Sequence, residues 1–440
     1  MKYLPNIIFL VALAVGIGYF TYNIRKLIRN IKLGREIEEL GDKKERWGNV
    51  VRIALGQSKM VVRPVAGIMH IIVYVGFVII NLEVLEIIID GLFGTHRVFA
   101  SLGPVYDLLI ASFEILALLV IVAVVVFWIR RNIQRLRRFM NPEMKGWPKN
   151  DANYILYFEV VLMTLFLTMN AADHQLQQLG SAHYTQAGMF PVSSYLLPVF
   201  SDMSEQSLII VERTAWWLHI IGILIFLNYL YFSKHLHIIL AFPNVFFGKV
   251  VPKGKFNNLE SVTKEVKLMM DPNADPFAAP AEGAEVPAKF GASDVTDLSR
   301  IQLLNAYTCT ECGRCTSECP ANQTGKKLSP RKIMMDTRDR LEEVGKNIDK
   351  NGEFKDDGKQ LLDDYITREE IWACTTCNAC VEACPVSIDP LSIIMDIRQY
   401  LVMEQSAAPN ELNIAMTNIE NNGAPWPYNQ MDRLNWKNES

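Results

Sequence analysis

Two short runs toward the C-terminal end of the chain hold all 8 of its cysteines. The first places Cys309, Cys312, Cys315 and Cys319 before Pro320, and the second places Cys374, Cys377, Cys380 and Cys384 before Pro385. Both read C-x2-C-x2-C-x3-C-P, the spacing of bacterial ferredoxins that bind [4Fe–4S] clusters. A cubane needs four thiolates around it. Three close cysteines on a tight turn wrap one side, and the fourth comes from the other run. One cluster is therefore assigned to Cys309, Cys312, Cys315 and Cys384, and the other to Cys374, Cys377, Cys380 and Cys319. Zinc would want paired C-x2-C units without a third and fourth Cys at these offsets. A disulfide framework suits a small secreted domain, not a chain of 440 residues.

The 7 histidines form the second group with metal chemistry: His70, His96, His174, His183, His219, His235 and His237. A b-type haem takes two axial ligands, commonly imidazoles on facing helices. His70 lies near the start of a long apolar stretch, and His219 and His237 are 18 residues apart. On one continuous helix that separation is five turns, so the two would face the same way about 27 Å apart. His235 would point nearly opposite. The bland alternative is a set of interface or packing histidines. Glu83, Glu86 and Asp90 recur at i, i+3 and i+7 on one helical face. They either serve proton transfer at a quinol site or mark a helix leaving the hydrocarbon.

These residues need a scaffold, and composition says which. Half of the residues are hydrophobic, rich for a soluble protein and poor for one wholly in membrane. Five apolar stretches are long enough to span a bilayer: about Pro5–Ile24, Val65–Ile89, Leu108–Trp128, Tyr154–Met169 and Thr214–Phe232. The first lacks a small-residue cleavage site and is read as an uncleaved span. Lys and Arg crowd the segments after the first, third and fifth stretches and are sparse after the second and fourth. The positive-inside rule then puts the N-terminus outside and the cysteine runs in the cytoplasm. A reducing compartment is what free thiolates require. The net charge of -3 argues against a nucleic-acid role. No phosphate-binding glycine loop, dinucleotide fingerprint or hydrolytic triad signature is found, so flavin and nicotinamide sites are not expected on this chain.

The expected fold class is mainly α: a five-helix transmembrane bundle followed by a cytoplasmic α-helical ferredoxin domain with two [4Fe–4S] clusters. The bundle takes residues 1–240. Residues 241–293 are a juxtamembrane segment and a flexible linker, with Ala241–Lys255 lying along the inner membrane surface or forming an ordinary connection. Met270–Ala292 is rich in Pro, Ala, Asp and Glu and reads as a tether. The ferredoxin domain takes 294–405. Between its two runs, Leu328–Leu341 and Asp357–Trp372 are helix-like in pattern, and Pro390–Glu404 is a further helix. The tail 406–440 is polar and extended, with Trp426, Tyr428 and Trp436. It either docks a partner or folds back on its own domain.

The five spans, the early His of the second and the spaced pair after the fifth resemble the cytochrome b (gamma) subunit of respiratory nitrate reductases. The cytochrome subunit of membrane heterodisulfide reductases is similar. The cysteine domain, with its long helical insert, resembles the C-type ferredoxin subunit of heterodisulfide reductases and the ferredoxin halves of related quinone-linked oxidoreductases. The resemblance implies haem b between His70 and His237. A second, outer haem would use His219, but no His stands at its level on the second span; either that haem is lost or it recruits His174, the preferred substitute, His96 or His183. It implies a membrane-bound electron-transfer subunit of an oxidoreductase in the bacterial cytoplasmic membrane. Menaquinone or ubiquinone would be its substrate. Its soluble cytoplasmic partner would be a heterodisulfide reductase-like subunit with a CCG domain or an electron-transfer flavoprotein. No spare Cys remains for a CCG-type site, so catalysis would fall to another chain. The contrasting reading is a membrane anchor or iron–sulfur redox sensor without haem.

Overall fold

The computed structural model describes residues 3–36, 41–250, 252, 254–255, 260–272 and 289–438. Among them there is no β-strand, only two isolated bridges. Five long helices carry the apolar stretches: α1 (Leu4–Ile31), α2 (Pro64–Phe93), α3 (Pro104–Asn132), α4 (Trp147–Gln178) and α5 (Glu205–Tyr229). Each is apolar and long enough to cross a bilayer, and the chain is a membrane protein. A helix satisfies its own backbone groups, as lipid demands. Proline opens α2 and α3 at positions where no amide donor is needed, and left-handed Gly94 closes α2. The 30 residues of α2 extend about 45 Å, longer than a hydrocarbon core of about 30 Å, so its ends stand in the interfaces. Consecutive spans pack on one another and α5 returns to α1, closing the bundle.

The cysteine domain sits at the bundle end where α1 and α3 finish and α2 and α4 begin. It is built on α7 (Arg300–Thr308), α8 (Arg314–Glu318), α9 (Pro330–Asn351), α10 (Ala379–Ala383) and α11 (Pro390–Gln399). Helix α6 (His237–Phe246) lies between bundle and domain. Its buried Asn244 donates to the Val386 carbonyl at 2.8 Å and accepts from Asn305 at 3.1 Å. The segment after the fifth span is therefore a structural joint rather than a plain connection. Of the expected tether, residues 273–288 lie outside the described residues, as do 251, 253 and 256–259 nearer the membrane.

The domain does not hang free. Arg29 donates to the Gly345 carbonyl at 3.0 Å, and Asn30 to the Tyr307 hydroxyl at 3.0 Å. Arg331, fully buried, donates to the Arg138 carbonyl at 2.6 Å and pairs with Glu143 at 2.7 Å. Lys234 pairs with Glu311, which also holds Arg338 at 2.8 Å. Buried apolar residues run without a break from Phe166 among the spans, through Leu236 and Leu240, to Leu303 and Ile393.

Three local expectations are corrected. The fifth span does not continue to His237: α5 ends at Tyr229, Ser233 is extended (φ -117°, ψ 147°), and α6 starts anew at His237. Asp151 on α4 holds this break, accepting from the Tyr229 hydroxyl at 2.6 Å, Ser233 Oγ at 2.7 Å and the Lys234 amide at 3.2 Å. Asp357–Trp372 is not one helix, because Asp363 turns left-handed (φ 73°) and Thr367 caps a fresh turn, Arg368–Trp372. The tail is not extended: it forms α12 (Asn410–Asn422), stopped by left-handed Gly423, and a 3-10 segment, Gln430–Lys437.

Candidate metal centres

The two cysteine runs take the same backbone path. In the first, α7 is capped by a Ser299/Gln302 box and ends as Cys309 becomes extended. Glu311 (φ 54°) and Gly313 (φ 69°) are left-handed, α8 follows, and Cys319 is extended again. In the second, Thr376 (φ 55°) and Asn378 (φ 60°) take the left-handed places, then come α10 and extended Cys384. The two left-handed residues curl the chain between the first and third cysteines of each run. At Gly313 a Cβ would also stand 2.5 Å from the buried Arg331 guanidinium, which excludes any side chain.

Helices α8 and α10 pack on each other. This brings Cys384 to the cavity lined by Cys309, Cys312 and Cys315, which Cys380 also reaches. Burial pushes the Cys309 thiol up to about 12, and the Glu311 carboxylate and the Cys312 and Cys384 thiols add to the effect. Burial pushes Cys384 up to about 11, with Cys312 adding and the Val386 and Ile388 amides opposing. In the other set, burial raises Cys374, opposed by the Thr376 amide and Arg398, while Cys319 and Cys377 add to it. Cys380 is raised by burial and by Asp389, Cys374 and Cys319. Cys384 thus acts on Cys309, and Cys319 on Cys374 and Cys380, while Cys380 also reaches the first set through Cys315. Thiolates so buried need a strong local positive charge, which iron supplies. The Ile388 amide donates to Cys384 Sγ at 3.2 Å and the Thr376 amide to Cys374 Sγ at 3.4 Å. Amide bonds to ligand sulfurs are among the levers on cluster potential.

The two sets have different surroundings. Lys59 donates to the Cys384 carbonyl at 3.3 Å, and Arg314 donates to the carbonyls of Lys59 at 2.9 Å and Met60 at 3.3 Å. Arg63 pairs with Glu318 at 2.8 Å. The first set therefore rests on the turn that leads directly into α2. In the second set Cys377 is exposed. Sequence reasoning counted Lys59 and Arg63 only as loop charge; their position just before the helix-opening Pro64 was the available signal.

His70 of α2 meets His237 with ring centroids 6.4 Å apart and planes at 43°. Imidazole–metal bonds of about 2.0 Å put two rings that clasp one ion from opposite sides roughly 6 Å apart, centre to centre. His237 Nδ1 lies 3.1 Å from the Lys234 carbonyl, which fixes its proton there and leaves Nε2 to ligate. His70 Nδ1 is buried without a partner. His235 does not point away: its ring stands edge-on to His237 at 5.4 Å, because the helical break voids the rotation count. His219 is buried, with Nδ1 3.0 Å from the Leu162 carbonyl and its ring 6.0 Å from Phe166. His174 stacks on Phe190 at 4.8 Å and meets Gln178. It lies eight residues beyond Phe166 on α4, about 12 Å along the axis, so the structure does not bring it together with His219. His96 and His183 stand 5.7 Å apart, with His96 on Asp173 at 3.2 Å.

Five membrane helices bearing a two-run cysteine domain define a membrane-anchored iron–sulfur protein. Comparison with known proteins agrees: residues 308–388 match the 4Fe-4S dicluster domain. The chain is 30% identical to the protein named "Probable iron-sulfur-binding oxidoreductase FadF" of Bacillus subtilis (strain 168), over 99% of this chain and 61% of that one. It is 26% identical to the "EtfAB:quinone oxidoreductase" of Syntrophomonas wolfei, over 88% of this chain and 53% of the other. The cysteine region is 30% identical to the C-type subunit of the ferredoxin/F(420)H(2)-dependent CoB-CoM heterodisulfide reductase of Methanosarcina acetivorans, over 26% of this chain and 58% of that subunit. The chain thus spans little more than half the length of the first two relatives. No solved structure matches it.

Proposed function

We propose that this chain is a membrane-bound electron-transfer subunit that links the quinone pool to a soluble redox partner. Two [4Fe–4S] clusters and haem b would carry the electrons. The observation that carries the reading is the stacking of three features at one bundle end. His70, paired with His237, follows Gly67, on which the Met60–Val61 turn packs; that turn is bonded to Cys384 and Arg314 of the first set's loops, and the other set presents exposed Cys377. Clusters and haem each take up and return one electron at a time. His70 and His237 would hold the haem, with the Lys234 carbonyl orienting the second ring. The backbone amides of Ile388 and Thr376 tune the thiolates, and Lys59 and Arg314 fix the domain over α2.

The relatives' printed names include an EtfAB:quinone oxidoreductase and a heterodisulfide reductase subunit. They favour an electron-transfer flavoprotein or a subunit with a CCG domain as partner, and menaquinone or ubiquinone as the membrane substrate. The basic loops after α1 and α3 lie at the cluster end, which supports a cytoplasmic ferredoxin domain and an outward N-terminus.

A reduced-minus-oxidised absorption spectrum of the purified protein, with iron analysis, tests this. The expected result is low-spin haem b and about eight non-haem iron per chain. Clusters without any haem would sink the conduit and leave the anchored ferredoxin of the contrasting reading.

A further inference from the structure

The bundle end far from the cysteine domain contains a cavity of about 530 Å³ between the ends of α1, α2, α4 and α5. That volume lies in the range of small-molecule sites, roughly 300–1,000 Å³. Its apolar wall is aromatic and aliphatic: Phe9, Ile87, Met169, Trp216 and Trp217. Its polar wall is crowded with ionisable groups, and nearly all of them are paired. Glu86 accepts from the Tyr106 hydroxyl at 2.8 Å and the Phe99 amide at 2.9 Å. Asp90 accepts from the Arg97 amide at 2.7 Å. Asp173 is held by Arg97 and by His96, and Glu212 by Arg213 and by the Tyr184 hydroxyl at 3.0 Å.

His183 makes only ring contacts and is exposed, so among the buried groups Glu83 is the exception. It is 4% exposed, lines the cavity, and its Oε2 has no hydrogen-bond partner. A carboxyl group left unpaired inside a membrane protein is costly and is kept for a purpose. We propose that this cavity seats the headgroup of a quinone, with Glu83 exchanging a proton with a headgroup oxygen. The proposal rests on the quinone-linked reading above and gives it a place. A flat ring with polar atoms at opposite edges fits a slot walled by Trp and Phe on one side and by one free carboxyl on the other.

A bound quinol would give up two electrons, one at a time, to the haem and clusters proposed above, and two hydroxyl protons. Glu83 accepts one proton and water at the cavity mouth accepts the second. Quinone reduction is the reverse, with both protons drawn from the same face. Trp216 lies one turn before His219 on α5, so the cavity is on the side of His219 away from the cysteine domain.

Full-length protein in detergent, with clusters intact, tests this with two probes. A fluorescent hydroxyquinoline N-oxide reports headgroup binding, and menadiol reports electron entry by bleaching of the cluster absorption. Ile87→Trp, which fills the cavity, is expected to weaken analogue binding at least tenfold. Glu83→Gln adds no bulk. It should bind the analogue within about threefold of wild type and slow menadiol oxidation at least tenfold, with Glu83→Asp recovering part of the rate. His70→Ala should bind the analogue as wild type does. Wild-type affinity in Ile87→Trp together with a wild-type rate in Glu83→Gln would overturn the placement while leaving quinone linkage intact. A wild-type protein that neither binds the analogue nor oxidises menadiol would overturn the quinone-linked reading itself.

Discussion

Among the thiols of the cysteine domain, Cys319 is the most telling for the crossed assignment. It lies in the first run, yet Cys374 and Cys380 of the second are both raised by it. Cys319→Ser is expected to remove one cluster signal from the low-temperature electron paramagnetic resonance spectrum and to lower iron toward half. The signal of the Cys309 set should persist; its loss alone would reverse the crossed assignment. For the histidines, His70→Ala and His237→Ala should each abolish the same band of the proposed haem b. His219→Ala should leave that band, since His219 packs on Leu162 and Phe166, apart from the His70/His237 pair. His235 packs edge-on to His237, so His235→Ala should keep the haem and shift its midpoint potential. An unshifted potential would show that this contact has no influence on the iron.

At the scale of elements, the joint between bundle and cysteine domain is electrostatic at its centre. Burial pushes the Glu311 carboxyl up, but Lys234 and Arg338 outweigh it and hold the group below its usual range. Burial likewise raises Glu143, and Arg331 more than reverses the effect. A carboxyl depressed in the folded state contributes stability that is complete above its unfolded value and is lost as pH falls through the folded one. Docking should therefore hold at neutral pH and loosen in acid, below about pH 4.5. Amide hydrogen exchange in α7 is the readout, and Glu311→Gln should flatten its pH dependence. Glu143→Ala leaves the fully buried Arg331 charge without its partner and should cost roughly 3 kcal/mol. Urea unfolding followed by cluster absorbance measures that loss.

For the whole molecule, the arrangement of basic loops and cysteine domain at one end makes a topology prediction. Reporters active in the cytoplasm should work when fused after Asp151 and after Lys255. A periplasmic reporter active at Lys255 would invert the proposed orientation. The tail makes a second prediction at this scale. No residue of α12 or of Gln430–Lys437 is buried, and Ile414, Ile419, Trp426 and Trp436 are each more than half exposed. Truncation from Ala407 should weaken recovery of the soluble redox subunit from native membranes. Equal recovery without the tail would remove Trp426 and Trp436 from that contact.

The parts legible in the sequence are those that depend on neighbours along the chain. Cysteine spacing, five apolar stretches and the alternation of basic loops are local or periodic signals, and they led to the clusters, the spans and the helical class. The helical break before His237 was not legible, because Asp151, some eighty residues earlier, accepts the bonds that hold it open. The clamping of the cysteine domain onto the bundle depends on pairs such as Arg331 with Glu143 and Lys59 with Cys384. The isolation of Glu83 is decided the same way. In sequence it is one of three carboxylates on a helical face. In the folded chain Tyr106 and three loop amides take up Glu86 and Asp90, and Glu83 Oε2 is left facing the cavity. Residue type and spacing determine which side chains can do chemistry, whereas which of them remain free to do it depends on partners that only tertiary packing supplies.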